Sequence, residues 1–177
     1  MNSLSIKLDN LPISNIKEVV NSIVKNLSAS EIEENNLHLK SVSIKGVDKK
    51  QINLLDYKDK LSEVIKAVAD KVKKNFNLDY ELELDNCWTV ISNKGSYHEL
   101  HQHNEQSNNK FSTNLYLELP KDENVGDYYF VEDNKTYKVK PEIGMLLMVP
   151  IHLLHGTYPQ GNGVRQTLNI DFLKEIN

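Results

Sequence analysis

Arginine is almost missing from this sequence. Of its 21 basic residues twenty are Lys, and the sole Arg is Arg165. Cysteine is as scarce: Cys87 stands alone, which excludes an intrachain disulfide and any zinc site built on a Cys pair. No apolar stretch reaches the ~18–20 residues that span a bilayer, so no membrane association is expected. The opening MNSLSIKLDN has no basic region followed by an apolar one. No secretory signal is read there, and the expected location is a reducing cytoplasm. A basic block is absent too. With 25 Asp and Glu against 21 Lys and Arg the formal net charge is −4. That balance suits a phosphate backbone poorly and disfavours nucleic acid as a partner.

What is present begins with Asn, at 21 copies, and with that excess of Lys. Lys has replaced Arg wherever charge alone matters. A surviving Arg then marks a place that needs a planar, two-pronged donor, such as a clamp on a carboxylate. A single survivor is also consistent with chance.

The length of 177 residues suits a single domain with a real core. There are no internal repeats and no low-complexity tract. Residues 1–78 read as mainly helical. Asn15 followed by Glu18 predicts a capping box, and Ile16, Val19, Val20, Ile23, Val24 and Leu27 follow at helical spacing. A strand and turn are expected within 41–47. A second helix fits 57–76, with Asp56 as its N-cap, an apolar stripe of Leu61, Val64, Ile65, Val68 and Val72, and a solvated Lys face. From about 79 the period changes to two. YELELDNCWTVIS, FSTNLYLELP, GDYYFVED, KTYKVK, GMLLMVP and VRQTLNIDFL all read as strands. In the third-quarter strand, Phe111, Thr113, Leu115, Leu117 and Leu119 share one face, and Ser112, Asn114, Tyr116 and Glu118 the other. In the last, Arg165, Thr167, Asn169 and Asp171 oppose Val164, Leu168, Ile170 and Phe172. The fold class expected is α+β, one domain over 1–177, with the helices packed outside a β core at 79–177.

Five of the six histidines lie between 98 and 155, in two clusters, H-E-L-H-Q-H and H-L-L-H. On a strand, residues i and i+2 point the same way, so His101 and His103 can present imidazoles to one point. His155, after the apolar run GMLLMVP, is the candidate third ligand. Three ligands on one face of an octahedron leave positions for a chelating cosubstrate and dioxygen, as an Fe(II) oxygenase requires, although imidazole suits Fe, Zn, Cu and Ni alike. A lone His-x-His is often only an exposed polar pair; His155 and Arg165 give it its weight here. Arg165, with the Thr167 hydroxyl on the same face, makes a natural cradle for a carboxylate. The same parity brings Asn114 and Tyr116 toward it, though Tyr116 also reads as an ordinary half-buried strand tyrosine.

These residues carry a resemblance. W-T-V-I-S-N-K-G-S-Y-H-E-L-H-Q-H (88–103), S-T-N-L-Y-L-E-L-P (112–120), P-E-I-G-M-L-L-M-V-P-I-H-L-L-H-G-T-Y-P (141–159) and V-R-Q-T-L-N-I-D-F (164–172) resemble the 2-oxoglutarate- and Fe(II)-dependent dioxygenase superfamily, most of all its small bacterial and phage-type members. The resemblance covers roughly residues 86–173. It implies a double-stranded β-helix (jelly-roll) core. It also implies an activity that couples oxidative decarboxylation of 2-oxoglutarate to oxidation, usually hydroxylation, of a substrate. By it, His101 and His155 match metal ligands, and Arg165 with Thr167 matches the site of the distal carboxylate of 2-oxoglutarate. Tyr116 and Asn114 join that cosubstrate site.

One position departs from the general pattern. His103 stands where most members carry Asp or Glu, which makes a metal site more positive by one charge. A shifted register would instead use His103, Glu105 and His155. His98 and His152 are either groups beside the site or surface residues. Two other readings stay open: a cupin-like protein with a three-histidine Zn or Mn site and no turnover, and a non-enzymatic interaction module. The substrate class expected is a small molecule or an amino-acid or peptide side chain, walled by the loops at 104–110 and 121–127.

Overall fold

The computed structural model describes residues 5–7, 11–32, 44–45, 50–103 and 110–174. Strand β1 (Ser5–Lys7) precedes helix α1 (Ile13–Asn26). Strands β2 (Ile44–Lys45) and β3 (Lys50–Asn53) lead to a 3-10 helix (Leu55–Leu61) and helix α2 (Ser62–Phe76). Eight strands follow: β4 (Leu82–Ser92), β5 (Tyr97–His98), β6 (Lys110–Glu118), β7 (Tyr128–Glu132), β8 (Lys135–Val139), β9 (Met145–Pro150), β10 (Leu154–Thr157) and β11 (Arg165–Lys174). The chain is thus a mixed helix and strand protein, and among the described residues every strand pair is antiparallel. No helix among the described residues is long and apolar enough to cross a membrane.

Both helices start elsewhere than their sequence signals suggest. Helix α1 begins after Pro12, with no side-chain cap. Proline's ring fixes φ, here −74°, near the helical value, so the chain turns helical before Asn15 is reached. The Asn15–Glu18 capping box therefore does not form. The segment expected as one helix over 57–76 is two. Asp56 does not cap it; the Asn53 Oδ1 accepts the Leu55 N–H at 2.8 Å and starts the 3-10 turn. The chain becomes α-helical only after Leu61, and both Leu54 and Leu61 are buried. Helix α2 ends at Asn77, which takes the left-handed conformation at φ 52°. The strand expected at 41–47 is seen only as β2, and 41–43 and 46–47 lie outside the described residues.

The large sheet runs β1-β9-β6-β11-β4-β3, and a smaller one runs β10-β7-β8. Alternation along β6, β9 and β11 sends side chains to two different places. Leu115, Leu117, Leu146, Met148, Leu168 and Ile170 face the helices and pack with Ile16, Val20, Val64, Val68 and Val72 in one core. At roughly 1.5–3 kcal/mol per buried Val or Leu, this layer is what docks the helices. On the opposite face Tyr116, Leu147 and Val149 meet Tyr128, Phe130 and Leu153 in a second cluster between the sheets. Leu119 lies past the end of β6 and packs with that second cluster, not with Leu115 and Leu117.

Candidate metal centre and anion pocket

The polar residues of the inner faces line a cleft of about 530 Å³, counting its open mouth. His101, His103, His155, Asn114, Tyr116, Arg165 and Thr167 all reach its wall, so the favoured ligand set and the expected cosubstrate contacts line one cleft. Glu105, the alternative ligand, lies outside the described residues, with the rest of 104–109. His152 is exposed.

Backbone pairing brings the histidines together. His101 and His155 form an isolated antiparallel bridge. The His103 N–H adds a bond to the Ile151 carbonyl at 3.1 Å. The ring centroids of His101 and His155 lie 4.4 Å apart, those of His103 and His155 5.3 Å, and those of His101 and His103 5.7 Å. One nitrogen from each ring lies within 4.8 Å of the other two. That is the spacing of three donors that could share one ion.

The tautomers suit a cation. The His101 Nδ1 lies 2.8 Å from the Glu99 carbonyl oxygen, and the His155 Nδ1 lies 2.7 Å from that of Leu153. A carbonyl oxygen only accepts, so each Nδ1 carries the hydrogen and each Nε2 is the acceptor nitrogen of its ring. Burial pushes His155 down to about 3, with the neighbouring His101 adding to it. Burial also lowers His101. Both rings are therefore neutral near pH 7 and ready to bind a metal without first losing a proton. The His103 Nδ1 faces the Asp171 carboxylate, with Oδ2 at 3.5 Å.

Beyond the histidines lies a place for an anion. Arg165 is 3 % exposed. Its Nη1 donates to the Gly126 carbonyl at 3.1 Å and its Nη2 to the Thr157 hydroxyl at 3.2 Å. Both partners are uncharged, and no carboxylate pairs with this guanidinium among the described residues. A buried charge left this way is costly unless something negative joins it. Gly126 permits the approach: it sits at φ +73°, and a Cβ there would meet Arg165 Nη1 at 2.5 Å. The Tyr128 hydroxyl is buried on the same wall without a hydrogen-bond partner among the described residues. Burial raises Tyr116 to about 12 and Tyr128 well above the usual phenol range, so both keep a donatable proton.

Two groups on this wall, Thr157 and Trp88, escaped the sequence reading, and a third, His98, was read as either beside the site or at the surface. Thr157 is the hydroxyl that Arg165 touches, and it also accepts the His98 N–H at 2.9 Å. Thr167 shares the cleft, but its hydroxyl accepts from Asn169 Nδ2 at 3.1 Å. Thr157 follows His155 by two on β10, and that parity was the available signal. His98 also lines the cleft and stacks on His101 with centroids 5.8 Å apart. Burial, then the charge of Arg165, holds it well below the usual imidazole range. Trp88 lies beside His103, centroids 6.3 Å apart.

No family model matches the chain, and no curated protein matches it in sequence. Solved structures do. The viral collagen prolyl hydroxylase of Paramecium bursaria Chlorella virus-1, solved with 2-oxoglutarate, superposes with a TM-score of 0.64 at 14 % identity, over 97 % of each chain. An oxidoreductase of the 2OG-Fe(II) oxygenase family from Burkholderia pseudomallei gives 0.62 at 9 %, over 96 % of this chain and 94 % of that one. HygX from Streptomyces hygroscopicus, solved with nickel, 2-oxoglutarate and hygromycin B, gives 0.59 at 13 %, over 85 % and 80 %. The chain has the fold of the 2-oxoglutarate- and Fe(II)-dependent oxygenases.

Proposed function

We propose that this chain is a 2-oxoglutarate- and Fe(II)-dependent dioxygenase, a single domain whose two sheets form a double-stranded β-helix. It hydroxylates a small molecule or an amino-acid or peptide side chain, with release of succinate and CO2. One observation carries the reading. Three imidazoles that share a 4.8 Å neighbourhood lie in one cleft with a buried guanidinium that has no carboxylate partner among the described residues. A metal ion at the first and a dicarboxylate reaching the second would satisfy both.

His101, His103 and His155 would hold the metal through Nε2. Arg165 would bind the far carboxylate of 2-oxoglutarate, oriented by the Gly126 carbonyl and Thr157. Tyr116, Tyr128, Thr167 and Asn114 would complete that pocket, the buried phenols as donors. Bound here, Fe(II) and 2-oxoglutarate would supply the oxidising power, with dioxygen consumed. The chain's part is to position, to keep its imidazoles neutral and to hold the cosubstrate away from bulk water. Purified protein given Fe(II), 2-oxoglutarate and air should form succinate, slowly even without a substrate. No iron-dependent loss of 2-oxoglutarate under any condition would overturn the assignment.

The described ligand set contains no carboxylate, and this favours a second reading: a cupin-like three-histidine Zn or Mn protein without turnover. Titration of 2-oxoglutarate into Mn(II)-loaded protein separates the two. Binding that is lost in Arg165→Lys supports the oxygenase, and binding unchanged in that variant supports the cupin.

A further inference from the structure

A face of three neutral imidazoles leaves a divalent ion with its full double charge. Two histidines and a carboxylate would leave it with one charge less. The chain has a carboxylate one step away. Asp171 lies on the cleft-facing side of β11, six residues beyond Arg165, and is 6 % exposed. Its Oδ2 is 3.5 Å from the His103 Nδ1, and its Oδ1 has no hydrogen-bond partner among the described residues. The pairing of β11 with β4 shifts register between Asp171 and Phe172. The extra residue there is Asp85 on β4, so β11 keeps its own alternation through Asp171.

The three imidazoles are not treated alike. His101 and His155 give Nδ1 to neutral backbone carbonyls two residues upstream. His103 has the Asp171 carboxylate behind it, and His103 is the ligand that stands where the resemblance expects an acid. We infer that Asp171 is the charge-compensating partner of the metal centre, holding His103 in its Nδ1–H tautomer and passing negative charge to the metal through the ring. This rests on the metal-binding reading above. An imidazole that donates to a carboxylate is a stronger donor at its other nitrogen. The carboxylate in turn gains a cation to face. Without one, a carboxylate this buried, with no partner for its second oxygen among the described residues, is an unfavourable place for charge.

The two roles open to Asp171 have opposite signatures. A residue that merely braces the sheet would, when changed, lower the stability of the metal-free protein and leave metal affinity alone. A charge-compensating residue does the reverse. The test is titration of Co(II) into wild-type protein, His103→Ala and Asp171→Asn, followed by Trp88 fluorescence and the visible Co(II) bands, with thermal melts of each metal-free protein. Asp171→Asn keeps the shape and removes the charge. It should bind Co(II) roughly 10–100-fold more weakly, with a metal-free melting temperature equal to or above that of wild type. Equal Co(II) affinity in wild type and Asp171→Asn overturns the inference while His103→Ala still reports on the metal site. No Co(II) binding by wild type overturns the metal reading and the inference with it. Should the variant not fold, ring-nitrogen NMR of wild-type protein decides: a proton on His103 Nδ1 supports the role, and a proton on Nε2 alone overturns it.

Discussion

His101 and His155 exchange both backbone hydrogen bonds, each N–H donating to the other's carbonyl, at 2.9 and 2.8 Å. The convergence of the two rings is therefore a property of the main chain. His101→Ala should keep the bridge and the fold and lose a donor. We expect a melting temperature within a few degrees of wild type for the metal-free variant, and Co(II) affinity reduced at least 100-fold. A collapse of the metal-free fold in this variant would show that the side chain, not the bridge, holds the segment.

Arg165 uses separate nitrogens for the Gly126 carbonyl and the Thr157 hydroxyl. A lysine ammonium is a point charge and cannot reproduce that fork. Arg165→Lys should weaken 2-oxoglutarate binding by roughly 1.5–3 kcal/mol, the range for a hydrogen bond to a charged group. Metal affinity should stay near wild type. Calorimetric titration with 2-oxoglutarate on Mn(II)-loaded protein measures it.

Gly126 sets up the same guanidinium from the other side. An alanine there would be strained at φ +73° and would press on Arg165 Nη1. Gly126→Ala should cost about 1–3 kcal/mol of stability and also lower 2-oxoglutarate affinity. Urea melts and the same titration check both. A variant with wild-type binding would mean that Arg165 relaxes freely, against its close packing.

The histidines give the metal-free protein an acid sensitivity whose sign is fixed. His155 lies at about 3 in the fold, against about 6.5 in an open chain. Between those values the unfolded chain holds more protons, so stability is full above pH ~6.5 and falls as pH drops toward 3. His98 and His101 are lowered too and act in the same direction. Thermal melts of metal-free wild type and His155→Gln from pH 7.5 to 5 should diverge, with the wild type falling faster. Parallel curves would refute the burial-driven shift.

Cys87 is fully buried, and burial, reinforced by Asp171, raises its thiol to about 12. Only the thiolate reacts quickly. Iodoacetamide at pH 8 should leave the native protein unlabelled and modify it fully in denaturant, by intact mass.

The cleft wall was readable in the sequence where the chain alternates cleanly. In β6 and β11 polar and apolar residues largely take turns, Thr113, Gln166 and Leu173 apart, so the parity of Asn114, Tyr116, Arg165 and Thr167 follows from period two. The segments that failed obey tertiary needs. Leu54 and Leu61 are both buried against the sheet, which local capping signals around Asp56 do not register. β1, β3 and β10 are three or four residues long, too short to show a period. Asp171 was placed on the right face. Its link to His103 spans 68 positions, and only the folded register reveals it.

Strand β11 is hydrogen-bonded to β4 on one edge and β6 on the other, with helices behind it and the cleft in front. A strand clamped on four sides gives its neighbours no slack. Variants that seek a different cargo will therefore succeed more readily at the loops around the cleft mouth than along this rail, where a bulkier side chain finds no strand edge free to shift. Diversification in such a scaffold is steered to the periphery by the way its middle is built.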